Sequence, residues 1–280
     1  MTVELLAFVR RAFAKQYTVH REIGRGGAAR VFLITDRGGR KLALKILQPE
    51  FLVSLAADRF LREMTMASQL NHPHIARLLD SGQRDWLVYF IMPYIEGPSL
   101  RELLSRQRRL GQADTLRMAC ELLDALDHAH QHGIVHRDVK PDNVIVSPSV
   151  GAVLLDFGIA RAIITAGDRI TRTDITVGSS AYMSPEQIDA SQEIDGRSDL
   201  YSLGCVLFEC LTGQPPFVRR KETLVLQLHL TEPAPDVRSL RPDVSPELAA
   251  VIGKALAKLP DERCQSAAEM RNLIASCPVA

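Results

Sequence analysis

The chain has 280 residues, of which 46% are hydrophobic, 24% charged and 5% aromatic, and its 34 basic residues against 33 acidic ones leave a net charge of +1. That apolar share excludes a disordered or low-complexity chain, and the near-neutral balance argues against a duplex nucleic-acid binder, which carries a strong basic excess. No apolar run approaches the ~18 residues of a membrane span, and at roughly 150 residues per domain the length predicts about two packed units or one unit with two lobes.

Leu5, Phe8, Val9, Ala12 and Phe13 recur at helical spacing, which predicts an amphipathic helix within an N-terminal extension over residues 1–16. Glu4 interrupts its apolar stretch and Arg10-Arg11 follow rather than lead it, so an export signal is not expected. Residues 17–47 read as strands, with Val31, Leu33, Leu42, Leu44 and Ile46 alternating and Arg37-Gly38-Gly39-Arg40 turning the chain. Helical spacing follows over 57–70, then strand-like runs at Ile75–Leu79 and Leu87–Met92. From Ser99 onward the pattern is mostly helical, with stripes at Leu116, Ala119, Leu123 and Leu126 and at Leu203, Val206, Leu207 and Cys210. The most apolar of these helices, Leu200–Leu211, contains Glu209. The pattern predicts an α+β fold with a small β-rich lobe over 17–92, a hinge at 93–97 marked by Pro93 and Gly97-Pro98, and a larger helical lobe over 98–280.

Five scattered cysteines without a C-x-x-C pair oppose a disulfide framework and a zinc site, and they suit a reducing, cytoplasmic setting. His128 and His132 share a helix face with His130 nearby, but no cysteine or carboxylate completes a ligand set. Exposed histidines at a helix end are the expectation there.

Chemistry concentrates in three places. Gly24-Arg25-Gly26-Gly27-Ala28-Ala29-Arg30-Val31 lets backbone amides approach a phosphate, and the strand that follows it distinguishes it from loops that open a helix. Lys45 is the charge at the end of the apolar strand Leu42–Ile46, and Glu63 stands on the apolar face of its helix, where a carboxylate needs a cation such as Lys45. His136-Arg137-Asp138-Val139-Lys140-Pro141-Asp142-Asn143 is followed by Asp156-Phe157-Gly158, with short strands at Val144–Val146 and Ala152–Leu155 between them. Phosphoryl transfer needs oxygen ligands for a divalent metal and a group to orient the attacking hydroxyl. Asn143 and Asp156 suit the metal, Asp138 the hydroxyl proton, and Lys140 the transferring phosphate.

In this ordered set the sequence resembles the bacterial eukaryotic-like (Hanks-type) serine/threonine protein kinases, from about Tyr17 to about Ile274. The resemblance implies the two-lobed kinase fold, with ATP and Mg2+ or Mn2+ as cofactors. It makes Gly24, Arg25, Gly26 and Val31 the nucleotide loop, and Lys45, paired with Glu63, the lysine on the α- and β-phosphates. Ala43, Met92, Pro93, Ile95 and Ile145 fall in the adenine pocket, Met92 as gatekeeper, with the Pro93 carbonyl and Ile95 N–H on the base. Asp138 becomes the catalytic aspartate, and Asn143 and Asp156 the metal ligands. His136, Arg137, Phe157, Gly158 and Ser179 take supporting roles. Glu186 of Ser184-Pro185-Glu186 is expected to pair with Arg263, and Asp199 to hold the catalytic loop's backbone. Ala29 in place of the third glycine and Ser179 in place of threonine depart from the family pattern without removing a reacting group.

Lys140 and Gly178-Ser179 resemble the serine/threonine-specific version, so protein substrates are implied. Thr171 and Thr173 stand where the family autophosphorylates, and a phosphate there could pair with Arg137. Dimerisation through the small lobe, which would serve autophosphorylation in trans, occurs in relatives. A catalytically dead switch would have lost Lys45, Asp138, Asn143 or Asp156, and a small-molecule phosphotransferase would not need Glu186 with Arg263. The basic stretches Arg106–Arg109 and Arg219–Lys221 read as solvated faces. The chain thus reads as a kinase domain without its own sensor or anchor, fed by another protein or forming the cytosolic part of a longer one.

Overall fold

The computed structural model describes residues 2–26, 29–47, 68–156, 179–189 and 194–278. Five antiparallel strands form one sheet: β1 Tyr17–Arg25, β2 Ala29–Asp36, β3 Lys41–Leu47, β4 Asp80–Arg84 and β5 Leu87–Pro93, in the order β1-β2-β3-β5-β4. The β2–β3 turn forms where the sequence places it. Asp36 Oδ1 accepts from the N–H of Gly38 and of Arg40, and Gly39 supplies the positive φ of 79°. Alternation then sorts β3 by face: Leu42, Leu44 and Ile46 enter the small lobe's core with Phe32, Ile34 and Ile91, leaving Ala43 and Lys45 on the other face.

The N-terminal helix, α1 (Thr2–Phe13), closes that core. Val9 and Phe13 are fully buried, Phe13 meets the edge of Tyr89 at 5.0 Å, and the Arg84 guanidinium lies 4.5 Å above the Phe13 ring. Arg84 also donates to the Ala12 carbonyl at 2.7 Å, and Arg10 to the carbonyls of Val19 and His20, so the helix is tied at both ends of its last turn.

The strand expected at Ile75–Leu79 is found five residues later, over Asp80–Arg84. Ile75 is buried in the core of the larger lobe, and its flanking backbone pairs with a strand there: Ala76 N–H donates to the Leu154 carbonyl and Leu154 N–H to the His74 carbonyl, each at 2.9 Å. Of the apolar run only Ile75 is buried while Leu79 is exposed, whereas the polar β4 is held by the apolar β5. Of the helix expected over 57–70, residues 57–67 lie outside the described residues.

The larger lobe starts at α2 (Leu100–Gln107), whose N-cap Ser99 and Glu102 form a reciprocal capping box. It continues with α3 (Gln112–Gln131), the hairpin β6 (Val144–Ser147) and β7 (Gly151–Leu154), α4 (Pro185–Asp189), α5 (Gly196–Thr212), α6 (Glu222–Thr231), α7 (Val237–Leu240), α8 (Pro246–Ala255) and α9 (Ala267–Ala275). Every residue of α5 from Ser198 to Leu211 is buried, so the apolar stripe is in fact a helix enclosed on all sides. It stops at left-handed Gly213, where a Cβ would collide with the Arg108 carbonyl.

Phe13→Ala is expected to cost about 3–5 kcal/mol, whereas Ala7→Ser on the exposed side of α1 stays within about 0.5 kcal/mol. Denaturant-unfolding midpoints of the two variants test whether α1 belongs to the small lobe's core.

Candidate active site

The loop after α3 is shaped by one buried carboxylate. Asp199, completely buried in the first turn of α5, accepts the His136 N–H on Oδ2 at 2.8 Å and the Arg137 N–H on Oδ1 at 2.7 Å. His130 Nε2, near the end of α3, reaches the same Oδ2 at 2.8 Å. Burial raises the Asp199 pKa, but the bonds from His130 and the Arg137 N–H outweigh it and hold the carboxyl below its ordinary range. Arg137 takes a left-handed φ of 66°, a conformation that costs a non-glycine residue about 1–3 kcal/mol. The Asp199 bonds offset that strain, and Gln187 of α4 fixes the other side of the same residue by donating to its carbonyl at 2.8 Å.

The His136 ring then bridges outward. Its Nδ1 accepts the Asp138 N–H at 3.1 Å, so Nε2 carries the proton and donates to the Leu155 carbonyl at 2.7 Å. Leu155 N–H returns a bond to the Asn143 carbonyl at 2.8 Å. The loop that presents Asp138 and the segment that presents Asp156 are thereby locked together.

Within that frame the candidate reactive groups pair. Asp138 Oδ2 lies 2.8 Å from Lys140 Nζ and 2.9 Å from Asn143 Nδ2, which also donates to the Asp138 carbonyl. Asp156, at a left-handed φ of 52° just past β7, places Oδ2 2.6 Å from Lys45 Nζ. Lys45 is the cation that alternation left on the inner face of β3, so this contact joins the sheet to the larger lobe. The other partner expected for Lys45, Glu63, lies outside the described residues, as do Phe157, Gly158, Thr171 and Thr173.

The nucleotide-loop residues flank the β1–β2 turn. Gly24 faces Val31 across the ladder, Gly26 N–H donates to the Ala29 carbonyl at 2.9 Å, and Arg25 pairs with Glu22 at 2.9 Å. Met92 lies opposite Ala43 and Pro93 opposite Leu42, and Tyr94 N–H donates to the Lys41 carbonyl. Ile95 follows in the hinge, where Gly97, at φ 142°, packs so tightly on Val146 that a Cβ would collide with its carbonyl. Ile145 lies on β6 opposite Val153.

Glu186 and Arg263 meet as expected, both buried, in a bidentate pair at 2.7 and 2.9 Å. Arg263 spends its remaining donors on the carbonyls of Ala257, Arg197 and Lys258, which satisfies a guanidinium that burial would otherwise penalise. Of Ser179 the backbone is described, in the 3-10 turn Ser179–Tyr182.

Two parts of the site went unread in the sequence. His130 serves Asp199 rather than a histidine cluster. Glu209 is gripped by Arg101 at 2.7 Å and by the Tyr182 hydroxyl, and Arg101 reaches Asp142 of the catalytic loop at 3.3 Å. A carboxylate inside an apolar helix was the signal for the second: it demands a cation, but nothing in the chain order says which.

Residues 17–273 match the family model described as protein kinase domain. The chain belongs to the protein kinase family. It is a serine/threonine kinase domain of the bacterial Hanks type. It is 41% identical over 267 residues to serine/threonine-protein kinase PknB of Mycolicibacterium smegmatis, covering 91% of this chain and 42% of the relative. It is also 41% identical over 278 residues to the probable serine/threonine-protein kinase SCO3848 of Streptomyces coelicolor, covering 95% and 40%. The kinase domain thus spans about two-fifths of the length of these curated relatives. A crystal structure of Rad53 in complex with AMP-PNP shares the fold at a TM-score of 0.76 and 25% identity, covering 93% of this chain and 65% of that one.

Removing the Arg263 guanidinium strands a buried carboxylate, so Arg263→Ala is expected to cost about 3–5 kcal/mol. Adding Glu186→Leu recovers only the share due to Glu186, because three carbonyls still lack their donor; thermal melts of the single and double variants read the difference.

Proposed function

We propose that this domain transfers the γ-phosphoryl of ATP to serine and threonine hydroxyls of proteins, and to its own Thr171 and Thr173. The observation that carries the reading is the pair of carboxylate–lysine contacts on locked, adjacent segments: Asp138 with Lys140 at 2.8 Å and Asp156 with Lys45 at 2.6 Å. AMP-PNP in the Rad53 structure supports a nucleoside triphosphate as donor.

Asp138 is oriented by Asn143 and by its backbone bond to His136, so its carboxylate accepts the proton of the attacking hydroxyl. Lys140 lies beside it as a point charge for the phosphoryl oxygens. Lys45 reaches the α- and β-phosphates from β3 while its contact with Asp156 sets the distance between the lobes. Asn143 and Asp156 offer a carboxamide and a carboxylate oxygen, the hard donors that Mg2+ or Mn2+ takes, so the residues fit the metal. When bound, that ion neutralises phosphate charge. Phosphate at Thr171 or Thr173 adds roughly −1.5 to −2 charge, and Arg137, next to Asp138 in the sequence, is the cation that would pair with it.

The small lobe over 17–92, the hinge at 93–97 and the larger lobe from 98 onward serve this reaction as gripping half, pivot and platform. Five free thiols suit a cytoplasmic setting, and among the described residues no helix is long and apolar enough to cross a membrane. Protein substrates are the partners, and a second copy of the chain is one of them if autophosphorylation runs in trans.

Asp138→Asn is expected to lower transfer from radiolabelled ATP to a generic protein substrate about 10²–10⁴-fold while nucleotide affinity is retained. Intact-mass spectra of purified wild-type protein should show added phosphate that the Asp138→Asn protein lacks. Identical masses would refute autophosphorylation, and no transfer to any protein by the wild type would refute the reading as a whole.

A further inference from the structure

Behind the active site four imidazoles from two distant parts of the chain come together. His72 stacks on His128 with centroids 5.4 Å apart, His128 meets His132 at 4.5 Å, and His74 lies 5.6 Å from His72. His128 and His132 belong to the end of α3, whereas His72 and His74 lie in the segment at 71–76 that pairs with β7. His132 is exposed at the helix end as expected, and His128 beside it also meets His72 of the second element.

The hydrogen bonds fix which rings must be neutral. His72 Nδ1 accepts the His74 N–H at 3.3 Å, and His128 Nε2 accepts the Asn71 N–H at 3.4 Å. A protonated imidazole has no acceptor nitrogen, so proton uptake at His128 breaks a bond from α3 to this segment and proton uptake at His72 breaks one within it. His74 Nδ1 bonds the Ala152 carbonyl of β7 at 2.8 Å, and His132 Nδ1 bonds the His128 carbonyl at 2.7 Å. Two residues beyond β7 stands Asp156.

We propose that these four rings form an acid-sensitive clasp: protonation of His72 or His128 loosens residues 71–76 from α3 and so weakens the placement of Asp156 on the strand that segment pairs with.

The surrounding charges agree with this assignment. Burial, with His74 and His128 beside it, holds His72 below the ordinary imidazole pKa, against the opposing pull of Asp124. Burial and the neighbouring His132 do the same for His128, against Asp127. Asp124 is itself held by Arg271 of α9 at 3.0 Å, and Glu121, further up α3, is occupied by the Ala152 N–H at 2.7 Å. From β7 the clasp meets the Ala152 carbonyl. Both folded values lie below the unfolded one near 6.5, so the stabilisation is complete above about pH 6.5 and is lost as pH falls through the folded values.

The test compares the melting temperature of the full chain with that of a His128→Gln/His132→Gln variant at pH 7.5, 6.5 and 5.5. His130 and His136 are left intact. The wild type is expected to lose at least about 2 °C more than the variant between pH 7.5 and 5.5, the scale of one titrating group in a domain of this size. Parallel curves would overturn the proposal. Should the variant not fold, an NMR titration of the wild type decides alone. Titration of the His72 and His128 rings below the ordinary value, with the Leu154 and Asp156 amides shifting in step, supports the clasp. Ordinary ring midpoints, or amides that stay still, overturn it. Both readouts are independent of phosphoryl transfer, so their failure is distinct from failure of the kinase reading.

Discussion

The candidate active site depends on a carboxylate sealed away from solvent. Asp199 is completely buried, and it stays charged because His130 and two backbone N–H groups surround it. Those two N–H groups belong to consecutive residues, which a strand would aim in opposite directions, yet both reach the oxygens of one side chain. The strain of the left-handed turn at Arg137 and the desolvation of Asp199 are each unfavourable alone and offset one another together. The loop that carries Asp138 follows from the result: His136 accepts the Asp138 N–H, and its far nitrogen secures the segment that ends in Asp156.

The larger lobe is correspondingly rigid around α5. That helix is enclosed by other elements and carries Asp199 at one end and Glu209 near the other. Through Arg101 and Tyr182, Glu209 reaches the catalytic loop and the 3-10 turn Ser179–Tyr182. Through Glu186, Arg263 joins α4 to the carbonyls of Ala257 and Lys258 after α8. A single apolar helix therefore organises both the loop that reacts and the platform beside it, with buried charge used to fix direction rather than to add stability.

How much of this was legible depended on the range of each interaction. The ordered motif around Asp138, Asn143 and Asp156 and the lysine on β3 could be read because phosphoryl transfer asks for those residue types, whereas the distant pair Glu186 and Arg263 was implied by the family resemblance alone. The β2–β3 turn and the helical form of α1 could be read because local spacing decides them. The strand at Ile75–Leu79 was misplaced because an apolar run does not show its partner; for buried Ile75 the partner was β7 in the other lobe. His72 and His74 stayed silent for the same reason: only the fold brings them to His128, some fifty residues on. Glu209 announced a need for a cation without naming Arg101.

The polar sequence of β4 has a consequence of its own. β4 lies at the rim of the sheet, where unpaired backbone groups invite a strand from a neighbouring molecule. Asp80-Ser81-Gly82-Gln83-Arg84 is short and charged at both ends, and Arg84 is occupied by α1. The rim is thus blunted by its own short, charged sequence, and a chain shorn of α1 would lose the Phe13 packing and free the Arg84 side chain from the Ala12 carbonyl together.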